Sequence, residues 1–241
     1  MNDIRNYYLQ NLGIGEVWML RHADALVDAE LSVTESAQSA FEASAVVRQV
    51  LPVSESQSTW RDIQAEILRC EKCPQCQLLG KSQDQSHSEI EAIDVVVVTE
   101  YAAPEQISES EKLLRNALAA LSLGEGGRNA RSYRCSLFKA REPHFSVLDS
   151  NFKQDHADTC LPFLLQEIRA IQPRAIVLFG ERVATTLLNL LAQPKMSDLR
   201  KIQHSYLDIP VIVTYSCEEM LSDPNCKYEV WTDFCRLKAL L

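Results

Sequence analysis

Residues 95–98 read Val-Val-Val-Val, with Ile93 before them and Thr99 and Glu100 after. Four consecutive β-branched apolar residues leave a strand no polar side to show to water, so that strand must be covered on both faces. Ala175-Ile-Val-Leu-Phe179 and Ile209-Pro-Val-Ile-Val-Thr214 repeat the pattern, and 133–138 is a further strand candidate. Between these runs apolar residues recur at helical spacing. They are Trp60, Ile63, Ile67 and Leu68; then Leu113, Leu114, Ala117, Leu118 and Leu121; then 161–171, 183–191 and 230–241. Strands alternating with helices imply an α/β fold, a four-stranded, mostly parallel sheet flanked by helices. Such sheets bind ligands beyond the carboxyl ends of their strands, which places the expected site in the loops after Val98, Phe138, Phe179 and Thr214.

This pattern starts only at residue 59, and the chain divides into three parts. Residues 1–26 crowd Tyr8, Leu9, Leu12, Ile14, Val17, Trp18 and Leu20 into a stretch broken by Gly13 and Gly15. Residues 27–58 hold seven Ser, five Ala, no Gly and five acids against the single Arg48, the composition of an acidic linker. Residues 59–241 form the packed domain. An apolar segment on an acidic tether has no core of its own to enter, and it reads as an arm that docks on a partner. The rival reading has it cover an apolar patch of its own domain. The net charge of −9 weakens any picture of a basic coat gripping long nucleic acid. No apolar run approaches membrane-span length and the N-terminus lacks the build of a signal peptide, so a cytoplasmic location is expected.

Three of the eight cysteines fall in one heptapeptide, Cys70-Glu-Lys-Cys73-Pro-Gln-Cys76; the others are Cys135, Cys160, Cys217, Cys226 and Cys235. In a reducing compartment, clustered thiols read as metal ligands or buried side chains rather than disulfides. Cys217, Cys226 and Cys235 are assigned to packing. The histidines at 22, 87, 144, 156 and 204 show no ligand spacing. Lys139 and Arg141 are expected to be solvated at a strand end, and Glu181 and Arg182 to serve the start of the helix after Gly180.

The ordered series Cys70-x-x-Cys73, the 95–98 strand, Lys139 and Arg141, Cys160-Leu-Pro-Phe-Leu, and Gln172-Pro-Arg-Ala-Ile-Val-Leu-Phe-Gly180 resembles the uracil-DNA glycosylase superfamily, chiefly its iron–sulfur branch. The tail Val213-Thr214-Tyr215, Met220-Leu221, Pro224 and Val230-Trp231-Thr-Asp233 fits the same family. The resemblance implies a 4Fe–4S cluster, with Cys70 and Cys73 as its first ligands and Cys160 as its last. The third family ligand falls at Ala140, and either Cys76 or Cys135 would replace it. Zinc suits the same thiolates, and a vestigial site of free thiols is the alternative. The family's catalytic positions do not carry over. Its Gly-Glu-x-Pro-Gly loop is here Thr99-Glu100-Tyr101-Ala102-Ala103, its pyrimidine-reading Asn is Ser136, and its His-Pro-Ser loop is Ser216-Cys217-Glu218. A hydroxyl lacks the electrostatic strength to stabilise a departing uracil anion.

Tyr8-Leu9-Gln10-Asn11-Leu12-Gly13-Ile14, followed by Trp18, Leu20 and Arg21, resembles the N-terminal segment of the psi subunit of bacterial DNA polymerase III. That likeness implies a non-catalytic adaptor. Its arm, through Tyr8, Leu9, Leu12, Ile14, Trp18 and Leu20, would dock on the gamma/tau collar of the clamp loader. The folded domain would hold the chi subunit, which links to single-stranded-DNA-binding protein. The competing expectation is a divergent iron–sulfur glycosylase with Glu100 as its base.

Overall fold

The computed structural model describes residues 59–73, 76, 80, 93–102, 108–121, 123, 131–140, 150–190 and 194–241, the side chains of 150–155 excepted. The arm and linker assigned to 1–58 lie outside the described residues, as does Arg141. The elements are α1 (Trp60–Arg69), β1 (Val95–Thr99), α2 (Glu109–Ala120), β2 (Ser132–Ser136), α3 (Ser150–Ile171), β3 (Ala175–Phe179), α4 (Glu181–Leu187), α5 (Met196–Leu199), β4 (His204–Tyr206), β5 (Ile209–Thr214), α6 (Cys217–Ser222) and α7 (Cys226–Leu240).

The strands form one sheet in the order β2-β1-β3-β5-β4. β2, β1, β3 and β5 run parallel, with Val98 opposite both Cys135 and Leu178 and Leu178 opposite Val213. The sheet is thus α/β and mostly parallel, but it has five strands among the described residues rather than four. The fifth, β4, pairs antiparallel with β5 at the edge. Its three residues, His-Ser-Tyr, carry no periodic signal. The turn joining it to β5 is made by Leu207 (φ 51°) and Asp208 (φ 63°), left-handed positions usually held by Asn and Gly. Pro210 is compatible with this strand because the β3 ladder begins only at Val211.

Strand alternation sends Val96, Val98, Ile176, Leu178, Val211 and Val213 to one face, where α1, α3 and α4 cover them. Val95, Val97, Ala175, Val177 and Phe179 point to the other, against α2, α6 and α7. All four valines of 95–98 are fully buried, as their lack of a polar side requires. The helix bounds differ from expectation mainly at α3, which begins at Ser150 rather than 161 and carries Pro162 inside it. It ends where expected: Gln172 takes φ 50° and donates its N–H to the Ile168 carbonyl ahead of Pro173. Helix α1 starts on a capping box, with the Thr59 hydroxyl accepting from the Asp62 N–H and the Asp62 carboxylate accepting from the Thr59 N–H. Among the described residues, no helix is long and apolar enough to cross a membrane.

Glu111 in the first turn of α2 is buried and ties that helix to β2. Arg134 donates to both carboxylate oxygens at 2.8 and 2.9 Å, and Arg115 adds a bond at 2.6 Å. Burial alone would raise the Glu111 pKa, but the two guanidiniums outweigh it and hold the carboxyl below its ordinary 4.5. A depressed acid contributes stability that is present above its unfolded pKa and lost as pH falls through the folded one. Glu111→Gln is therefore expected to cost about 1–3 kcal/mol at pH 7. Urea titrations should show the gap to the parent chain shrinking as pH drops below 4.5.

Candidate functional site

The carboxyl ends of β1, β2, β3 and β5 lie side by side, so the four expected loops do converge. The β2 loop follows the β1 loop closely: Leu137 donates its N–H to the Thr99 carbonyl and Phe138 to that of Glu100, both at 2.9 Å. This register lays Tyr101 on Phe138 as a stacked pair, with centroids 4.9 Å apart and planes 27° apart. Phe138 is fully buried.

The polar groups at the strand ends are engaged in holding the loops. Glu100 pairs with Arg182, the second residue of α4, at 3.3 Å. Glu181 does occupy the first turn of α4, but Arg182 reaches across to the β1 loop instead. Ser136 is fully buried, and its carbonyl accepts from the Lys139 ammonium at 2.8 Å. Ser216 caps α6. Its hydroxyl accepts from the Glu219 N–H at 3.2 Å, while the Glu219 carboxylate accepts from the Ser216 N–H at 2.7 Å. Gly180 turns the chain out of β3 at φ 96°, and a Cβ there would meet the Ser216 Cβ at 3.4 Å. No histidine occurs in 99–102, 136–140, 180 or 215–217.

Lys139 was expected in solvent and is instead buried, 2% exposed against 0% for its partner Glu167, with the charges 2.6 Å apart. Gln64 of α1 donates to the other Glu167 oxygen at 3.2 Å. One polar junction thereby joins α1, the β2 loop and α3. The sequence signal for it was Glu167 itself, a charge set among Phe163, Leu164, Ile168 and Ile171 on the apolar stripe of α3. A second junction lies under β5. The Thr214 hydroxyl donates to buried Asp233 at 2.9 Å and Arg200 donates to the same oxygen at 2.6 Å. Arg200 also pairs with Glu229 and lies over the Tyr215 ring at 5.0 Å.

The cysteines of the heptapeptide are all buried, as is Cys160. Cys70 is the C-cap of α1 and packs with Ile63, Ile67 and Phe163. Cys160 lies one turn before Phe163 on α3. Cys73 and Cys76 stand 3.9 Å apart, sulfur to sulfur, in one cluster with Ala140. Burial pushes the Cys76 thiol up to about 12, with Cys73 and then Cys160 and Cys70 adding to the rise. Burial also raises Cys160, against the Lys139 backbone N–H that its sulfur accepts. The four sulfurs are thus electrostatic neighbours. Cys135, by contrast, is packed into the sheet core with Val98 and Phe138. Among the described residues, no group of three or more His, Cys, Asp or Glu side chains stands in the closed arrangement of a metal-ion shell. Of the cysteines assigned to packing, Cys217 is buried against α2 and α7, Cys226 is half-buried, and Cys235 is exposed on α7.

A family model described as the uracil DNA glycosylase superfamily matches residues 88–235, more than half of the chain. No curated protein matches it.

Proposed function

The chain belongs to the uracil DNA glycosylase superfamily, and we propose that it is a non-catalytic member, an adaptor of the psi type in the bacterial DNA polymerase III clamp loader. The observation that supports the non-catalytic half is the helix cap made by Ser216, the residue that the sequence resemblance sets where the family has its leaving-group histidine. Excision of a base needs strong stabilisation of the departing anion. A serine whose hydroxyl accepts from Glu219 N–H, with the Glu219 carboxylate on its own N–H, supplies the reverse: negative charge near the leaving group. Glu100, the remaining acid of the ancestral pocket, is paired with Arg182, and Tyr101 lies on the Phe138 ring.

The adaptor half rests on the arm. Its resemblance to the psi N-terminus assigns Tyr8, Leu9, Leu12, Ile14, Trp18 and Leu20 to the gamma/tau collar, and the folded domain to chi. An acidic linker of the 27–58 type gives such an arm reach without coupling it to the domain's stability.

Purified full-length protein is expected to release no uracil from single- or double-stranded DNA above a buffer blank. Ser216→His should not restore release. It breaks the cap, at a cost of about 0.5–2 kcal/mol, and leaves Tyr101 in place. Measurable turnover that disappears in Glu100→Ala would overturn the non-catalytic reading in favour of a divergent glycosylase.

A further inference from the structure

Helix α7 packs on β3 and β5, and beside its end a groove of about 630 Å³ opens along the β4–β5 hairpin. The floor is uncharged. Pro210 and Ile212 are only half-buried there, and Ile202 and Leu240 at its sides are 55% and 39% exposed. The rim is cationic: Arg200, Lys201 and Arg236 line it against one acid, Asp208, on a chain whose net charge is −9. The Arg200 guanidinium is engaged by Asp233 and Glu229. Lys201 and Arg236 are more open to solvent, and the acids they pair with, Asp198 and Asp233, stand 3.9 and 3.7 Å away. Arg236 is held in place by a bond to the Arg200 carbonyl at 2.8 Å. The groove also reaches the end of the sheet, since β4 is its last strand. Ser205, in the lining, stands opposite Pro210, which has no N–H to share. That makes the pair a non-hydrogen-bonded one, so Ser205 turns its own N–H and carbonyl away from β5 and out along the edge.

We propose that this groove docks an acidic, extended segment of a partner protein, which adds to the outer edge of β4. The edge supplies main-chain bonds through Ser205, and side chains on one face of the added strand enter the groove beside it. Apolar side chains rest on Pro210, Ile212, Ile202 and Leu240, and carboxylates meet Lys201 and Arg236. Charge complementarity selects this occupant: the groove reverses the sign of the chain around it, so an acidic segment is repelled by most of the surface and drawn here. A nucleic-acid strand would also seek the cations, but single strands are held by stacking their bases on aromatic rings, and no Phe, Tyr or Trp lines the groove. This inference does not depend on the arm, and its failure would leave the adaptor reading untouched.

The test is binding of a fluorescein-labelled, capped peptide, Glu-Glu-Val-Leu-Glu-Glu-Val-Leu, to the full-length protein, read by fluorescence anisotropy. In extended form each face of this peptide carries both acids and apolar groups. Binding should saturate, weaken as salt is added, and slow amide exchange across residues 203–207. Lys201→Glu and Ile202→Asp should each weaken it by about ten-fold, or about 1.4 kcal/mol. Both side chains are exposed, so Tm should stay that of the parent chain. Absence of saturable binding, equal binding of Lys-Lys-Val-Leu-Lys-Lys-Val-Leu, unchanged affinity in both variants, or protection that spares 203–207 would overturn the proposal. Displacement of the peptide by oligothymidylate that itself depends on Lys201 would assign the groove to nucleic acid instead.

Discussion

Lys139→Met is expected to destabilise the folded domain by about 3–5 kcal/mol, the cost of leaving a buried charge without its partner. Both members of the Lys139–Glu167 pair are almost wholly excluded from solvent, so neither can fall back on water once the other is gone. Methionine retains the length of the lysine stem but takes away the cation that answers the Glu167 carboxylate, to which the neutral Gln64 amide donates at 3.2 Å. The Ser136 carbonyl loses a donor as well. For a domain whose total stability is about 5–15 kcal/mol, a loss of this size shows plainly in a urea midpoint. The double variant Lys139→Met/Glu167→Leu should recover most of it, because replacing a buried pair by apolar groups of similar volume is about neutral or even stabilising by about 1–4 kcal/mol. A loss below about 1 kcal/mol in Lys139→Met would mean the pair behaves as an exposed one.

The sheet was legible because its strands are buried on both faces, and such strands write themselves as unbroken β-branched runs. The edge strand was not, since three residues with mixed polarity have no period to read, and the Leu207-Asp208 turn hides behind residues that seldom take left-handed backbone. At the site, the residues at the strand ends could be named from the sequence, but only some of the roles they take could be. That Ser216 caps α6 follows from Glu219 three residues on, a capping-box pattern present in the sequence. That Tyr101 lies on Phe138, or that Glu100 meets Arg182, follows from the β1–β2 register and the β3–α4 turn, which are tertiary facts. Lys139 was misread for the same reason: its exposure depended on a glutamate 28 residues away on another element. That Cys135 packs in the sheet core with Val98 and Phe138 while Cys76 lies beside Cys73 likewise came from the packing, not from the spacing.

Removal of residues 1–26 is expected to abolish binding to the gamma/tau collar while leaving the 59–241 domain folded. Burying Leu9, Leu12, Ile14 and Trp18 contributes about 1.5–3 kcal/mol each before the cost of ordering a free segment, which is compatible with micromolar binding or tighter. With the arm gone, nothing in the resemblance assigns the domain a second hold on the collar. The deletion should therefore lower affinity by orders of magnitude rather than by a small factor.

The most direct test of the adaptor reading is a paired measurement on Trp18→Ala in the full-length chain: affinity for the isolated collar subunit by calorimetry, and thermal unfolding of the same preparation. The account predicts that binding weakens by about 2 kcal/mol, as for an aromatic anchor withdrawn from its pocket, while Tm hardly moves. A Tm lowered by several degrees with collar binding unchanged would make the arm part of the domain's own core and contradict the account.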